Sequence, residues 1–294
     1  MKNNIWIFEI IKRKGVFVFK RISRKVLKGR YLKKQISGDG FANLCDLIIY
    51  DVEIVSIERI ERAKTIFVKS DFLIEFLSRY SEYLSDKILL SGNSDKNFNY
   101  EIPDMYGPKK IYIQNLGFIP RNERINLLPI GLENLEHVRA GFAFLHRKFG
   151  KHRFQDRVLI PAMSATNPVR ARVLEQVQEL DQGPVYVETK YRSVIFYLRQ
   201  TKKYKFVLVC EGNGYDTHRL WETLYQGSFP VVFRTPFSNN LENLGLPVLV
   251  ISDLKELSFS LLAKHQSKHR SFNPKNTDLL LMDYWKKRLI QDQE

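Results

Sequence analysis

The chain has 294 residues, of which 44% are hydrophobic and 27% are charged, enough to bury a core in one large or two modest domains. This composition excludes a disordered, collagen-like or coiled-coil protein. No apolar run reaches the roughly 18–20 residues that cross a bilayer, so we expect a cytoplasmic protein. Cys45 and Cys210 lie far apart without a CxxC partner, which is typical of a reducing compartment and predicts no structural disulfide.

The net charge of +15 is concentrated at the start of the chain, because residues 1–34 hold twelve lysines and arginines and one acidic residue, Glu9. Apolar residues lie between these cations, a pattern typical of a segment that binds an anionic membrane surface. We therefore expect an amphipathic arm over residues 1–38 that attaches the protein peripherally to the inner face of the cytoplasmic membrane. Alternatively, residues 5–19 form the first strand or helix of the globular part.

After the arm, short apolar runs alternate with longer amphipathic stretches, which predicts an α/β protein with two Rossmann-like domains, over residues 39–150 and 151–294. A polar, basic stretch at 146–156 is the predicted hinge. The predicted strands are 47–50, 65–68, 88–90, 111–113, 125–128, 158–160, 185–187, 206–210, 231–233 and 248–251. The predicted helices are 72–84, 168–180, 192–199, 217–226, 254–263 and 278–290. The last carries an apolar stripe, Leu279, Met282, Trp285 and Leu289, by which it should dock.

The segment with most chemical information leads from the predicted strand 206–210 through a glycine-rich turn into the predicted helix 217–226. Gly212 and Gly214 flank Asn213 there, and residues without a Cβ allow a ligand to approach the backbone closely. In an open α/β sheet, ligands bind outside the carboxyl ends of the strands. Residues 211–217 are therefore a predicted ligand site, where Glu211 begins the turn and Asp216 is suited to cap the helix.

The predicted helix 217–226 carries a second set of polar groups. Glu222 lies four residues after His218 and three after Arg219, so it shares a helical face with both. A carboxylate at this place can accept hydrogen bonds from paired ribose hydroxyls, and Arg219 can meet a phosphate near the helix start. Because the neighbouring leucines point to the core, we expect Glu222 on a polar face. The alternative is an ordinary exposed ion pair.

A second helix start, after the predicted strand 158–160, offers similar chemistry. Thr166 or Asn167 suits the N-cap and Pro168 suits the first helical position, so Arg170 is placed to contact a diphosphate. A plain capped helix with a surface arginine explains the same pattern. Lys190, at the next strand-to-helix turn, is a weaker candidate for binding the same phosphates. An ordinary solvated charge explains this lysine equally well.

The run EGNGYDTHRLWETLYQGSFPVV, residues 211–232, resembles the donor-domain motif of bacterial exostosin-like glycosyltransferases. Residues 91–95 (SGNSD), 128–134 (LPIGLEN) and 164–170 (SATNPVR) are similar to further signatures of that family. The resemblance covers residues 45–260 and implies the GT-B fold, in which two Rossmann-like domains face each other and the second binds most of the donor. One departure is Cys210, which stands where proline is frequent.

The resemblance implies transfer of a sugar from a nucleotide-sugar donor to a bacterial surface glycan, of lipopolysaccharide core or capsule type. No Asp-x-Asp motif occurs, so we expect no metal and no cofactor. Arg170, Arg219 and backbone N–H groups are expected to stabilise the leaving group, with His218 as a further candidate. Asp95 is the candidate base, and its alternative is a turn-forming aspartate. The expected donor-binding residues are Thr166, Asn167, Arg170, Lys190, Glu211, Gly212, Asn213, Gly214, Asp216, Arg219 and Glu222.

Three other classes of protein account for fewer of these features. A noncatalytic basic nucleotide- or nucleic-acid-binding protein would explain the charge, but the cations are concentrated in one arm and no nucleic-acid-binding module follows. A dinucleotide oxidoreductase would carry G-x-G-x-x-G after the strand, whereas Thr217 occupies the third glycine position. A scaffold protein would not need such a cluster at one strand end. We expect a nucleotide-sugar and a glycan as partners, and no nucleic acid.

Overall fold

The computed structural model describes residues 35–52, 55–103, 107–134, 155–179, 183–190 and 193–294. The basic residues 1–34, which carry the membrane-binding prediction and its alternative at 5–19, lie outside these ranges. So do residues 146–154 of the predicted hinge. Within the ranges that are described, no helix is long and apolar enough to cross a membrane.

The first half, residues 35–134, contains a five-stranded parallel sheet whose strands follow chain order. Its central strands are apolar on both faces, as a parallel sheet covered on both sides requires. The strands are β1 (Leu47–Ile49), β2 (Thr65–Lys69), β3 (Ile88–Gly92), β4 (Lys110–Ile113) and β5 (Ile125–Leu127). The described helices of this half are α1 (Gly38–Ala42), α2 (Ile57–Arg62) and α3 (Leu73–Tyr80).

The second half, residues 155–294, contains another five-stranded parallel sheet, with the order β10-β9-β8-β6-β7. Its strands are β6 (Gln155–Ile160), β7 (Val185–Val187), β8 (Tyr204–Leu208), β9 (Phe229–Phe233) and β10 (Leu249–Ile251). Its helices are α4 (Pro168–Glu179), α5 (Val194–Thr201), α6 (His218–Tyr225), α7 (Pro236–Asn243), α8 (Phe259–Lys268) and α9 (Met282–Gln293). The strand order reverses between β6 and β8, and ligands bind at such a reversal in open α/β sheets.

The α/β prediction is confirmed, and each of the ten predicted strands is present within three residues of its predicted bounds. The predicted helix 72–84 is shorter, because 3₁₀ turns at Ser70–Phe72 and Ser81–Tyr83 flank α3. The predicted helix 254–263 is instead a 3₁₀ turn at Leu254–Glu256 followed by α8. Ser258 separates them, because its extended backbone begins α8 and its side chain accepts from the N–H of Leu261.

The two halves share one apolar core. Trp221 and Leu224 of α6 are buried in the same cluster as Phe67 and Ile111 of the first sheet. Tyr225 joins the halves through its hydroxyl, which accepts from the N–H of Ile36 at 2.9 Å and donates to the carbonyl of Leu280 at 2.7 Å. The position of α6 is therefore fixed by the first half as well as by its own sheet.

The last helix, α9, belongs to the second half in sequence but packs against the first sheet. Three residues of its predicted apolar stripe, Met282, Trp285 and Leu289, are buried. The fourth, Leu279, lies before the helix in a 3₁₀ turn at Asp278–Leu280. Trp285 makes edge-to-face contacts with Phe41 and Tyr112, with ring centroids 5.3 and 6.0 Å apart. The helix thus packs against the first half of the chain, on Phe41 and Tyr112.

A polar network fixes the end of α9 to β4. The carboxylate of Asp292 accepts from Lys110 Nζ at 2.6 Å and from the Tyr112 hydroxyl at 2.5 Å. Arg288 donates from Nε to the same hydroxyl at 2.8 Å. Burial, followed by the hydrogen bond to Asp292, raises the pKa of Tyr112, so its hydroxyl remains protonated and able to donate.

We expect Asp292→Ala to lower the free energy of unfolding by about 1–3 kcal/mol, because it leaves two partly buried donors without their acceptor. Urea unfolding measures the loss. Gln291→Ala, at an exposed neighbouring position of the same helix, is the control and should change stability by less than about 0.5 kcal/mol. Equal losses in the two variants would show that the network does not hold α9.

Candidate functional site

The turn at residues 211–217 lies between the carboxyl ends of the two sheets. It leaves β8 of the second sheet, and it is bound by side chains that follow β3 and β4 of the first. The N–H of Tyr215 donates to Asn97 Oδ1 at 2.7 Å, and the N–H of Asp216 donates to Asn115 Oδ1 at 2.7 Å. The turn is therefore the place where both sheets present their ligand-binding edges to one region.

Gly214 makes this approach possible. A Cβ at this position would lie 2.7 Å from Asn115 Oδ1 and 2.7 Å from the carbonyl oxygen of Asp95. The other glycine, Gly212, has more room, since a Cβ there would come no closer than 3.4 Å to Arg170. The space beside Gly214 is therefore taken by the first half of the chain itself, and close approach of a ligand to the glycines stays a prediction.

On the second sheet, the reversal between β6 and β8 brings the predicted residues Asn167, Arg170 and Glu211 together. Asn167 Nδ2 donates to the carbonyls of Glu211 and Gly212, at 2.8 and 2.7 Å. Arg170 Nε donates to the same Glu211 carbonyl at 2.9 Å. Asn167 Oδ1 accepts from the N–H of Arg170, which confirms Asn167 as the cap of α4.

Two guanidinium groups converge at this crevice. Burial first, and then repulsion by the charge of Arg219, lowers the pKa of Arg170. The second, Arg219, lies over the ring of Tyr197, 5.1 Å from its centroid. Thr166 Oγ1 accepts from Arg170 at 3.1 Å. Two half-buried arginines beside the start of a 12-residue helix favour an anion at this place.

Lys190 and Glu211 occupy less central positions around this crevice. Lys190 is exposed and lines a small depression that also contains Tyr197. The carboxylate of Glu211 is half-buried, and burial raises its pKa, with Arg172 opposing the rise. The contacts of Asn167 and Arg170 are to the Glu211 carbonyl, so the role of its side chain stays a prediction.

On the first sheet, the carboxyl ends of the strands line a cavity of about 700 Å³ that includes both Asp95 and His218. Asp95 comes from the turn after β3, and its Oδ2 accepts from Asn213 Nδ2 of the second half at 3.1 Å. His218, at the start of α6, reaches the cavity from the second half. The structure therefore brings the two predicted catalytic residues into one cavity from opposite halves.

Asp71, which the sequence reasoning missed, organises the cations of this cavity. Its carboxylate lies 3.0 Å from Lys69 Nζ and 3.2 Å from Lys96 Nζ. Burial alone would raise the pKa of Asp71, but hydrogen bonds from the two lysines and from Ser94 lower it on balance. Because Lys69 ends β2, the rule that ligand sites follow strand ends could have found this group.

Two asparagines hold left-handed backbone conformations beside the cavity. Asn93 and Asn115 both have φ of +56°, at the ends of β3 and β4. Such conformations cost about 1–3 kcal/mol in a non-glycine residue, asparagine being among the least penalised, and they cluster at functional sites. Their backbones are held by neighbours, since the N–H of Asn93 donates to Gln114 Oε1 and the carbonyl of Asn115 accepts from the N–H of Phe98.

His218 has a defined ring orientation. Its Nδ1 lies 2.9 Å from the carbonyl oxygen of Gly131. Because a carbonyl can only accept, Nδ1 carries the hydrogen and Nε2 holds the lone pair of the neutral ring. A histidine in this form can take a proton at Nε2 from a group bound in the cavity.

Two predicted donor-binding residues are more buried than the sequence suggested. Glu222 was expected on a polar helical face, but it is 3% exposed, because both sides of α6 are covered by the two halves. Asp216 is 4% exposed and does not cap α6, whose N-cap is Thr217. Burial raises the pKa of Asp216 to about 7, although three N–H donors favour its ionised form. Glu222→Ala would therefore disturb the fold as well as any ligand.

Thiol chemistry has little support at this site. Burial raises the pKa of Cys210 to about 11 and that of Cys45 to about 12, so neither is a thiolate at neutral pH. Among the described residues, no group of three or more histidine, cysteine or acidic side chains could hold a metal ion.

A larger cavity of about 870 Å³ lies between β5, α7 and α9, and it contains none of the predicted site residues. We place the candidate site at the smaller cavity and the adjoining crevice because strand ends of both sheets meet there.

No family model matches the chain, and no curated protein matches it either. Any functional assignment therefore rests on the residues and on their geometry.

We expect Gly214→Ala to destabilise the protein by about 1–3 kcal/mol, because the added methyl group meets Asn115 and the Asp95 backbone. Gly212→Ala, two residues away in the same turn, is the matched control and should cost less than about 1 kcal/mol, because its nearest neighbour is the end of a flexible arginine. Thermal unfolding of both variants measures the difference. A stable Gly214→Ala protein would show that the turn does not pack against the first half as described.

Proposed function

We propose that the protein is a glycosyltransferase that moves a sugar from a nucleotide-sugar donor to a glycan acceptor. The observation that carries the proposal is the turn at residues 211–217, which joins a crevice suited to anions on the second sheet to a polar cavity on the first. Two parallel five-stranded sheets with this meeting point are compatible with a GT-B arrangement of two Rossmann-like domains.

The donor would bind mainly in the second half. Its diphosphate fits between Arg170 and Arg219, beside the positive end of the α4 helix dipole. Thr166, Asn167 and Gly212 complete the wall of this crevice. As the bond between the sugar and the phosphate breaks, the two guanidinium groups stabilise the negative charge that develops on the leaving nucleotide.

The acceptor would bind in the cavity of the first half. Asp95 takes the proton of the attacking hydroxyl, the hydroxyl oxygen bonds to the anomeric carbon of the donor sugar, and the nucleoside diphosphate leaves with the electron pair of the broken bond. Asn213 holds the Asp95 carboxylate across the two halves, so the base is oriented by the same turn that contacts the donor. No step in this scheme calls for a metal or a cofactor.

The acceptor class follows from the resemblance of the 211–232 motif to bacterial exostosin-like glycosyltransferases. We propose a surface glycan of lipopolysaccharide core or capsule type, made at the inner face of the cytoplasmic membrane, where residues 1–34 would hold the enzyme. A noncatalytic nucleotide-binding protein would need the crevice but not a cavity with Asp95 and His218 beside it.

We expect UDP or GDP compounds to raise the melting temperature, whereas NAD and duplex DNA do not. Arg170→Ala and Arg219→Ala should each weaken binding of the active nucleotide about 10- to 100-fold, the effect of losing a charge-assisted hydrogen bond of about 1.5–3 kcal/mol. Calorimetric titration measures the change.

Arg172→Ala is the matched control for both arginine variants, since Arg172 is exposed on α4 just after Arg170. It should leave affinity within about threefold. Binding of NAD or DNA in preference to sugar nucleotides, or equal losses in all three variants, would contradict the proposed donor site.

We expect Asp95→Asn to lower turnover with acceptor about 100-fold or more while donor affinity changes little, because a general base acts only in the chemical step. The amide keeps an oxygen that can accept from Asn213, so the turn should remain in place. Asp86→Asn, at an exposed aspartate before β3, is the control. Full turnover in Asp95→Asn would remove this residue from the mechanism.

A further inference from the structure

Asp216 and His218 contact neighbouring residues of the first half. The N–H of Ile130 donates to Asp216 Oδ2 at 2.8 Å, and Nδ1 of His218 donates to the carbonyl oxygen of Gly131 at 2.9 Å. Ile130 and Gly131 are adjacent, and Asp216 and His218 are two positions apart. The two contacts together form a two-point clamp between the segments 216–218 and 130–131.

The other contacts of Asp216 fix the carboxylate within this clamp. Its Oδ1 accepts from Trp221 Nε1 at 2.8 Å, and Trp221 is fully buried. The backbone N–H of Asp216 donates to Asn115 Oδ1 at 2.7 Å. Asp216 therefore cannot turn towards a ligand without giving up hydrogen bonds in the interior.

The segment on the other side is equally constrained. Gly131 has φ of +69°, and a Cβ at this position would lie 2.3 Å from the carbonyl oxygen of Ile36. The N–H of Leu132 donates to the same carbonyl at 2.9 Å. The Gly131 carbonyl shares a peptide plane with the Leu132 N–H, which Ile36 holds, and Asp216 holds Ile130 on the other side of the glycine. The carbonyl points at His218.

We propose that Asp216 is a positioning residue, which aims the Gly131 carbonyl at His218 and thereby keeps the histidine in the Nδ1–H form with Nε2 open to the cavity. Asp216 acts through the Ile130 N–H and touches no substrate. The catalytic consequence, that Nε2 exchanges a proton with a bound hydroxyl or phosphate, rests on the proposed glycosyl transfer. The hydrogen-bond arrangement itself does not.

The test is the tautomer of His218, read from the ¹⁵N shifts of its two ring nitrogens in the full-length protein at a pH where the ring is neutral. The His218→Gln variant assigns the signal among the six histidines. In the wild type we expect two well-separated shifts, with the hydrogen on Nδ1. In Asp216→Asn we expect the shifts to converge, because an amide can accept from only one of the Ile130 and Trp221 donors and presents its own N–H₂ to the other.

Two further variants separate positioning from general destabilisation. Trp221→Phe removes the contact to Oδ1 but leaves the Ile130 bond, so the wild-type shifts should persist. Asp292→Asn weakens the distant α9 network and should also leave them unchanged. If Asp216→Asn does not fold, an ester in place of the peptide before residue 130 deletes only the N–H donor and should give the same convergence.

The proposal is overturned if wild-type His218 carries its hydrogen on Nε2 or exchanges between the two forms. It is also overturned if loss of the Ile130 hydrogen bond leaves the shifts separate, or if Asp292→Asn makes them converge. These outcomes need no nucleotide and no turnover. A protein that binds no sugar nucleotide but keeps the predicted shifts would refute the proposed function and leave the positioning role intact.

Discussion

The arrangement of the site depends on one buried carboxylate, that of Asp216. Its oxygens accept from Ile130 in the first half and from Trp221 in the second, so the turn at 211–217 cannot leave the first half without exposing unpaired donors. Burying a carboxylate is costly, and its pKa of about 7 reflects this cost. In return, the hydrogen bonds of this carboxylate fix the place where the strand ends of both sheets meet.

From this meeting point the two proposed functions of the site, donor binding and acceptor binding, divide between the halves. The second half supplies paired guanidinium groups beside the start of α4, which suit a leaving group that becomes negative. The first half supplies a cavity in which Asp95, Asp71 and two lysines are arranged at strand ends. Asn213 and His218 of the second half form hydrogen bonds with Asp95 and Gly131 of the first half. Neither half contains a complete set of groups for glycosyl transfer, which makes their contact part of the proposed chemistry.

The sequence predicted the strands well because apolar β-branched runs between turns are local signals. Asn167 and Pro168 predicted the start of α4 in the same way, as a cap and a first helical residue. The start of α7 also carries a local signal, since Thr235 and Ser238 form a capping box and Pro236 occupies the first helical position. Burial of Glu222 and Asp216 could not be predicted, because it arises from residues about a hundred positions away. The stripe on α9 was predicted because it is a local pattern in the sequence. Its partner, the first sheet, was not predicted, because it lies far from α9 in the chain.

The most direct test of the proposed function is a crystal structure of the full-length protein with the nucleoside diphosphate that gives the largest thermal shift. We expect both phosphates between Arg170 and Arg219 at the start of α4, with the open side of the diphosphate facing the cavity that holds Asp95. Phosphates bound in the larger cavity between β5, α7 and α9, or a nucleotide whose phosphates contact neither arginine, would contradict the account.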